Sequence, residues 1–355
     1  MIVSTTLTGD NADVIGDALR SVVDHVDKCI VIDTRQFEGA HNDTLEVAGG
    51  VCGDKFVVVS FPWVNDFSKA RNYALECATK MGADWAITVD TDERLVFDEG
   101  FNLAHALKYT KSDVMLVSHA DRSYSKERIV RIPTYTSWYG PTHECLGGQT
   151  YESSSLLEGM TFWELNKTPE QTKVKYARDI ALLTEYSKAR PDETRWHYYL
   201  GSTLQDTEHW EEAAEAFLRC AKLMGWDEEG AWACYRAAEC YTALKRWKDA
   251  VVTCAFGLAI RPGTAELAWL AGWSEYSMGN FEKAIAWCNM SIANGLYSGT
   301  GSKFKRIGFK NQFALHDGPF DVLHWSYLKL GDEKAAAIAK SQTNAAKLKR
   351  ERRAR

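Results

Sequence analysis

From residue 1 to about 150, short apolar runs alternate with amphipathic stretches of helical period, the pattern of strand-helix-strand units around a mostly parallel sheet. Ile2 to Leu7 predicts a first strand, and Val14, Ile15, Ala18, Leu19, Val22 and Val26 then share one helical stripe. Cys29 to Ile32 predicts a second strand closing on Asp33. A shorter helix is expected around Thr44 to Ala48, and a third strand from Phe56 to Val59. A helix from about Asp66 to Met81 would present Phe67, Ala70, Ala74, Cys77 and Met81 on one side. The next apolar run, Trp85 to Val89, ends in Asp90-Thr91-Asp92-Glu93, and its strand is expected beside the opening one. Val114 to Ser118 predicts a later strand, with Asp121 just after it.

Beyond about residue 170 the period of two disappears, and Trp, Tyr, Ala and Leu recur at helical spacing. Blocks opening at Trp210, Trp247 and Phe281 repeat with offsets of 37 and 34, as do the small pairs Leu200-Gly201, Ala237-Ala238 and Ala271-Gly272. This is the spacing of tetratricopeptide repeats, helix-turn-helix units with small residues where helices cross. A degenerate fourth unit is expected to include Tyr327, Gly331 and Ala335, with a long Gly-, Lys- and Phe-rich insertion from Gly299 to Pro319 before it. The chain therefore divides into an α/β domain over 1–165, an all-α repeat domain over 166–345 and a basic tail over 346–355, the tail being expected as a solvated, frayed end.

A formal net charge of -6 argues against general nucleic-acid affinity. Nine scattered cysteines without a CxxC pair fit reduced core residues of a cytoplasmic protein. No signal peptide is expected at the N-terminus, and no run reaches the ~18 to 20 apolar residues that span a bilayer. Repeat arrays must cap or pair their ends, so a homodimer through the helical half is a further expectation.

The strand ending in Asp90-Thr91-Asp92 puts two carboxylates at a sheet's carboxyl edge, where open α/β folds bind ligands. Two residues apart on an extended chain, they project to one side and suit a hard divalent cation. Taken together, Asp33, the run Trp63 to Asn72, Trp85 to Glu93 and His143-Glu144 resemble, in this order, the family 2 glycosyltransferases with a nucleotide-sugar-binding GT-A fold. The resemblance is to the bacterial subgroup that couples this domain to tetratricopeptide repeats, including bacteriocin peptide S-glycosyltransferases, and it covers the whole chain. It implies that Asp33 reads the uracil or ribose, with Thr6 and the following loop completing the base pocket. It implies that Arg71 contacts the base or diphosphate, Asp90 with Thr91 faces the ribose, and Asp92 and His143 ligate Mn2+ or Mg2+ on the diphosphate of a UDP-hexose. The chain departs from the subgroup after the second strand, reading Asp33-Thr34-Arg35-Gln36-Phe37-Glu38, and in the first loop, reading Thr6-Leu7-Thr8-Gly9-Asp10-Asn11.

Transfer of the hexose to a hydroxyl needs a base, and Glu144 and Asp121 are the candidates. The acceptor is expected to be a protein or peptide, with lipopolysaccharide or another glycan as the alternative. A binding scaffold with an inert sugar domain is the competing class. A nucleotidyltransferase lacks support, because no Gly-rich triphosphate loop follows the first strand. The aromatics Trp196, Tyr198, Tyr199, Trp232, Trp269 and Trp273 are assigned to helix packing, and Trp63 and Trp85 to core or wall. Lys303, Lys305, Arg306 and Lys310, interleaved with Phe304 and Phe309, are either an anion-binding loop or solvated.

Overall fold

The computed structural model describes residues 1–35, 43–147, 153–297 and 309–353. They fall into two compact units, Met1–Lys175 and Tyr176–Arg355. The division lies within helix α5 (Pro169–Ala189).

The first unit runs β1 (Ile2–Thr8), α1 (Ala12–Arg20), β2 (Lys28–Asp33), α2 (Asp43–Cys52), β3 (Phe56–Ser60), α3 (Phe67–Lys80), β4 (Trp85–Thr88), β5 (Glu93–Phe97) and α4 (Leu103–Tyr109). It continues with β6 (Val114–His119), β7 (Ser125–Arg131), the short hairpin strands β8 (Ser137–Tyr139) and β9 (Cys145–Gly147), and β10 (Ser154–Glu164). The main sheet has the order β3-β2-β1-β4-β7-β6-β10-β5. β1 lies between β2 and β4, and all three are parallel, in the register Thr8↔Asp33 and Thr5↔Thr88. Six strands share one direction, while β7 and β5 oppose it. The sheet is thus mixed rather than uniformly parallel, because a tight connection returns the chain from β6 directly into β7.

Alternation along the strands sorts the core onto two faces. Ile2, Cys29 and Val31 pack with Ile15, Leu19 and Leu107 on one face, whereas Val3, Ile30 and Ile32 pack with Ala74, Leu75 and Trp138 on the other. The chain moves outward from β1 through β2 to β3, and then α3 carries it back to β4 on the other side of β1. The strand order therefore reverses at β1 and β4, which opens a crevice at their carboxyl ends.

The second unit pairs α6 (Thr194–Asp206) with α7 (Trp210–Lys222), α8 (Asp227–Ala243) with α9 (Trp247–Ile260) and α10 (Ala265–Ser277) with α11 (Phe281–Tyr297). After the short α12 (Gln312–Leu315), α13 (Gly318–Lys329) and α14 (Glu333–Arg353) form the fourth pair. Each turn reverses through a left-handed residue two positions before the second helix: Glu208, Lys245, Gly279 and Gly331. The repeat spacing read from the sequence is the spacing of these helices. The basic tail is not frayed over its described part: α14 continues to Arg353, and Arg350 grips Asp317 through two hydrogen bonds of 2.7 and 3.0 Å. Among the described residues no helix is long and apolar enough to cross a membrane. All nine cysteines are free, and all but Cys145 are buried.

Small residues mark the helix crossings. A Cβ at Gly272 would stand 2.6 Å from Cys288 Sγ and 3.2 Å from the Ala284 carbonyl oxygen, so the helices approach only because that atom is missing. Gly272→Ala is expected to destabilise the helical unit by about 1–2 kcal/mol, the overpacking cost exceeding the gain in helix propensity. A urea transition unchanged or shifted to higher concentration would contradict this tight approach.

Candidate functional site

The motif around Arg71 is a folding device before it is a chemical one. Asp66 caps α3 by accepting from the Lys69 amide (3.1 Å) and the Ser68 hydroxyl (2.6 Å), and Ala70 is fully buried against the sheet. Asn72 makes a two-way bond with the backbone of Trp138, donating to its carbonyl at 2.9 Å and accepting from its amide at 2.7 Å. This fixes the β8–β9 hairpin, whose loop carries His143 and Glu144, on α3. Between these anchors Arg71, only 8% exposed, lies over the Trp138 ring and reaches the edge of the sheet.

There Arg71 donates to Asp90 Oδ1 at 2.8 Å and to Glu144 Oε1 at 2.5 Å. The other Asp90 oxygen accepts from Arg128 of β7 at 3.2 Å, and Arg128 also pairs with Glu93, which is fully buried. Lys126 bridges Glu93 (3.1 Å) and Glu164 (2.5 Å), and Glu164 accepts from the Tyr124 hydroxyl at 2.6 Å. Burial alone would push the Asp90 carboxyl up, but Arg71 and Arg128 outweigh it and hold the group well below the usual carboxylate range. Glu93 goes the other way: burial, with Asp90 close by, raises it against the pull of Arg128 and Lys126. Arg94 braces the turn from behind, donating to the carbonyls of Thr91 (2.9 Å), Glu93 (2.7 Å) and Val14 (3.0 Å).

Asp92, with a third of its side chain exposed, pairs with Lys167 instead of with a second carboxylate. His143 is half-buried with φ +50°, in the hairpin loop beside Glu144. Among the described residues no three His, Cys, Asp or Glu side chains gather into a metal-holding group. Asp92 and His143 nevertheless carry carboxylate and imidazole donors of the kind that ligate a divalent ion. A partly exposed carboxylate paired with a lysine can exchange that partner for a hard cation. Asp90 does not fit as a metal ligand, since both its oxygens accept from guanidinium groups.

Asp33 stands at the end of β2, opposite Thr8, and its carboxylate takes three hydrogen bonds of 3.1 Å from Arg35: from the amide, Nε and Nη2. Arg35, one of the departures after the second strand, is thus clamped onto Asp33 at this edge of the crevice, while Gln36 to Glu38 lie outside the described residues. Two strand spacings, roughly 10 Å, separate the ends of β2 and β4. Thr6 is buried inside β1 opposite Val31, and Thr8, at the end of the strand opposite Asp33, is buried too. Thr91 is half-buried in the turn.

The two base candidates have different surroundings. Glu144 is tied to Arg71. Asp121 lies in an exposed turn after β6, where hydrogen bonds from Ser123 and His119 hold its carboxyl down to about 2. Its Oδ1 is 2.7 Å from His119 Nδ1, and the His119 ring stacks on Tyr124 and meets Phe162 edge-on. An Nδ1–H donated to Asp121 leaves the imidazole lone pair on Nε2. The sequence reading missed His119, Arg128, Lys126, Glu164, Lys167 and Arg94. The only signal for the first was a His two residues before an Asp at a strand end. Lys303, Phe304, Lys305 and Arg306 lie outside the described residues; Lys310 is exposed.

Removing Arg128 would leave Glu93 buried beside Asp90 without its main counter-charge. Arg128→Met is expected to cost about 3 kcal/mol or more of stability at pH 7, with the loss shrinking in acid as Glu93 takes up a proton. A cost under about 1 kcal/mol, constant with pH, would contradict a desolvated pair.

No protein-family profile matches the chain. Among curated proteins it is 24% identical over 211 residues to the SPbeta prophage-derived glycosyltransferase SunS of Bacillus subtilis, covering 56% of this chain and 47% of that one. The glycosyltransferase SunS of Bacillus phage SPbeta gives the same figures. A tetratricopeptide-repeat-containing protein of Synechococcus elongatus is 37% identical over 89 residues, 25% of this chain and 20% of its own length. The chain thus spans about half the length of the first relative's sequence and a fifth of the last. Among solved structures, the crystal structure of MamA overlays with a TM-score of 0.41 at 18% identity, covering 53% of this chain and 99% of that one. The chain is therefore distantly similar to a glycosyltransferase and to tetratricopeptide-repeat proteins.

Proposed function

We propose that this chain is a glycosyltransferase that moves a hexose from a nucleotide sugar, a UDP-hexose, to a protein or peptide acceptor, with Mn2+ or Mg2+ as cofactor. The observation that carries the reading is the row of charged groups along the carboxyl edge of the sheet. Asp33 with Arg35 stands on one side of the β1/β4 crevice, and Asp90 and Asp92 on the other. The distant similarity to SunS supports the class of reaction.

Uracil offers an N3–H donor flanked by carbonyl acceptors, which suits a carboxylate and a guanidinium side by side. Asp90, kept ionised by two arginines, accepts from ribose hydroxyls through its remaining lone pairs. Asp92 and His143 are the residues that would hold the divalent ion. When bound, that ion neutralises charge on the leaving diphosphate and so stabilises the transition state. Imidazole plus carboxylate favours Mn2+ over Ca2+. Arg71, Arg128, Lys126 and Lys167 each pair with the crevice's carboxylates, and each is a cation that a donor's phosphates could engage.

Proton removal from the acceptor falls to a group on the far face of the sugar. A carboxyl held near 2 accepts protons poorly at neutral pH, so Asp121 serves better as the orienting partner of His119, whose Nε2 is the base. Glu144 positions Arg71. The runner-up acceptor is a glycan. A non-catalytic repeat scaffold remains the competing reading, favoured by the fact that the higher-identity match is to a repeat protein.

Donor turnover, followed as metal-dependent release of UDP, tests these roles. Asp92→Ala is expected to lower it at least about 100-fold with the fold retained. His119→Gln is expected to lower transfer by a comparable factor, while UDP binding is unchanged. Full activity in Asp92→Ala would remove the metal role; full transfer activity in His119→Gln would remove the base.

A further inference from the structure

Charge is segregated along this chain. Residues 334–355 carry eight Lys and Arg against one acid, Glu351, whereas the preceding 333 residues carry 34 Lys and Arg against 47 Asp and Glu. A stretch of net +7 thus follows a body of net -13. Such asymmetry marks a region that meets an anionic partner, because cations gathered on one surface repel one another until something neutralises them.

The structure turns most of this stretch into one face of a helix. Along α14, Ala336 and Ala339 are buried and Thr343, Ala346 and Arg350 half-buried, at alternating steps of three and four residues, so this side packs on the rest of the unit. Arg350 on that side is already engaged by Asp317. The opposite side carries Ile338 and Leu348, both more than half exposed, with exposed Ser341 and Ala345 between them. Lys340 and Lys347 line one flank of this stripe and Lys349 the other, with Lys334 and Arg352 at its ends.

All five of these cations are exposed, and among the described residues none has an ion-pair partner. Arg236, Arg246 and Arg261 around the second helix pair each do. A helix built only for solvation alternates acids with its bases at four-residue spacing, yet no acid lies between Glu333 and Glu351. Trp325, Leu328 and Leu330 add exposed apolar side chains to the same helix pair.

We infer that the outward face of α14 docks on an anionic lipid surface, with its cations among the headgroups and Ile338 and Leu348 reaching the acyl boundary. Cations flanking an apolar stripe match the layering of a membrane interface, phosphates outside and hydrocarbon beneath. A nucleic-acid backbone supplies the phosphates but gives Ile338 and Leu348 nothing to bury against. The attachment is peripheral and salt-sensitive, since it rests on exposed charges. The inference concerns docking alone and does not depend on sugar transfer.

The test floats the full chain with vesicles of phosphatidylcholine, alone or with about a third phosphatidylglycerol, at about 0.1 M salt. The bound fraction is expected to rise at least about tenfold with the anionic lipid and to fall back at about 0.5 M salt. The triple variant Lys340→Gln/Lys347→Gln/Lys349→Gln should lower binding to the anionic vesicles at least about tenfold. Ile338→Gln/Leu348→Gln should lower it at least about threefold while the salt dependence persists. A DNA duplex at equal phosphate concentration should not displace the chain from the vesicles. Equal flotation with and without phosphatidylglycerol would overturn the inference, as would native binding by either variant or displacement by the duplex. Should the triple variant lose its far-UV helical signal, Lys347→Gln alone decides: reduced binding supports the lipid face, and unchanged binding overturns it.

Discussion

Two guanidinium groups, Arg71 from α3 and Arg128 from β7, hold the carboxylate of Asp90 at the point where the strand order of the sheet reverses. This arrangement ties together segments far apart in the chain. Arg71 is aimed by the cap at Asp66 and by the clamp of Asn72 on Trp138, and it fixes Glu144 of the hairpin in turn. Arg128 satisfies Glu93, a carboxylate buried completely on the same turn. Each charge is affordable inside the protein only because its partners are already in place; removing one strands the others. The order of the carboxyl edge follows from that mutual dependence.

The fold was largely legible because its signals are periodic. Strand alternation from Ile2 to Leu7, the helical stripe through Leu19 and the repeat offsets at Trp210, Trp247 and Phe281 each report a local geometry that the chain must satisfy along its own length. The reversal of β7 against β4 carried no such signal, and Lys126 and Arg128 were missed with it. A basic residue in a half-polar strand reads as a surface charge until the strand's neighbour is known. Arg35 was visible as a departure after Asp33, but that it would clamp the carboxylate is a matter of side-chain reach, which spacing does not encode. Asp121 was noticed for its position at a strand end, and its relation to His119 emerged only from the turn that folds the two together.

In the helical unit, assigning the aromatics to packing was half the story. Trp196 is buried at a crossing with Tyr186, as packing demands. Tyr198, Trp232 and Trp269 instead meet residues of the insertion. A repeat has two kinds of aromatic position, one toward its partner helix and one toward the groove, and helical periodicity alone does not separate them. The recurrence of Tyr198, Tyr235 and Trp269 at the repeat offsets does, because a ring kept at one site in the first three units marks a continuous surface.

The central claim is that the crevice at the ends of β1 and β4 is a nucleotide-sugar site. Calorimetric titration of the intact chain with UDP-glucose, UDP-GlcNAc and GDP-mannose, each with and without Mn2+, tests it most directly. The account predicts saturable binding of a UDP-sugar that strengthens at least about tenfold with the metal and is lost in Asp92→Ala. Folded protein that binds none of the three donors, in either condition, would contradict it.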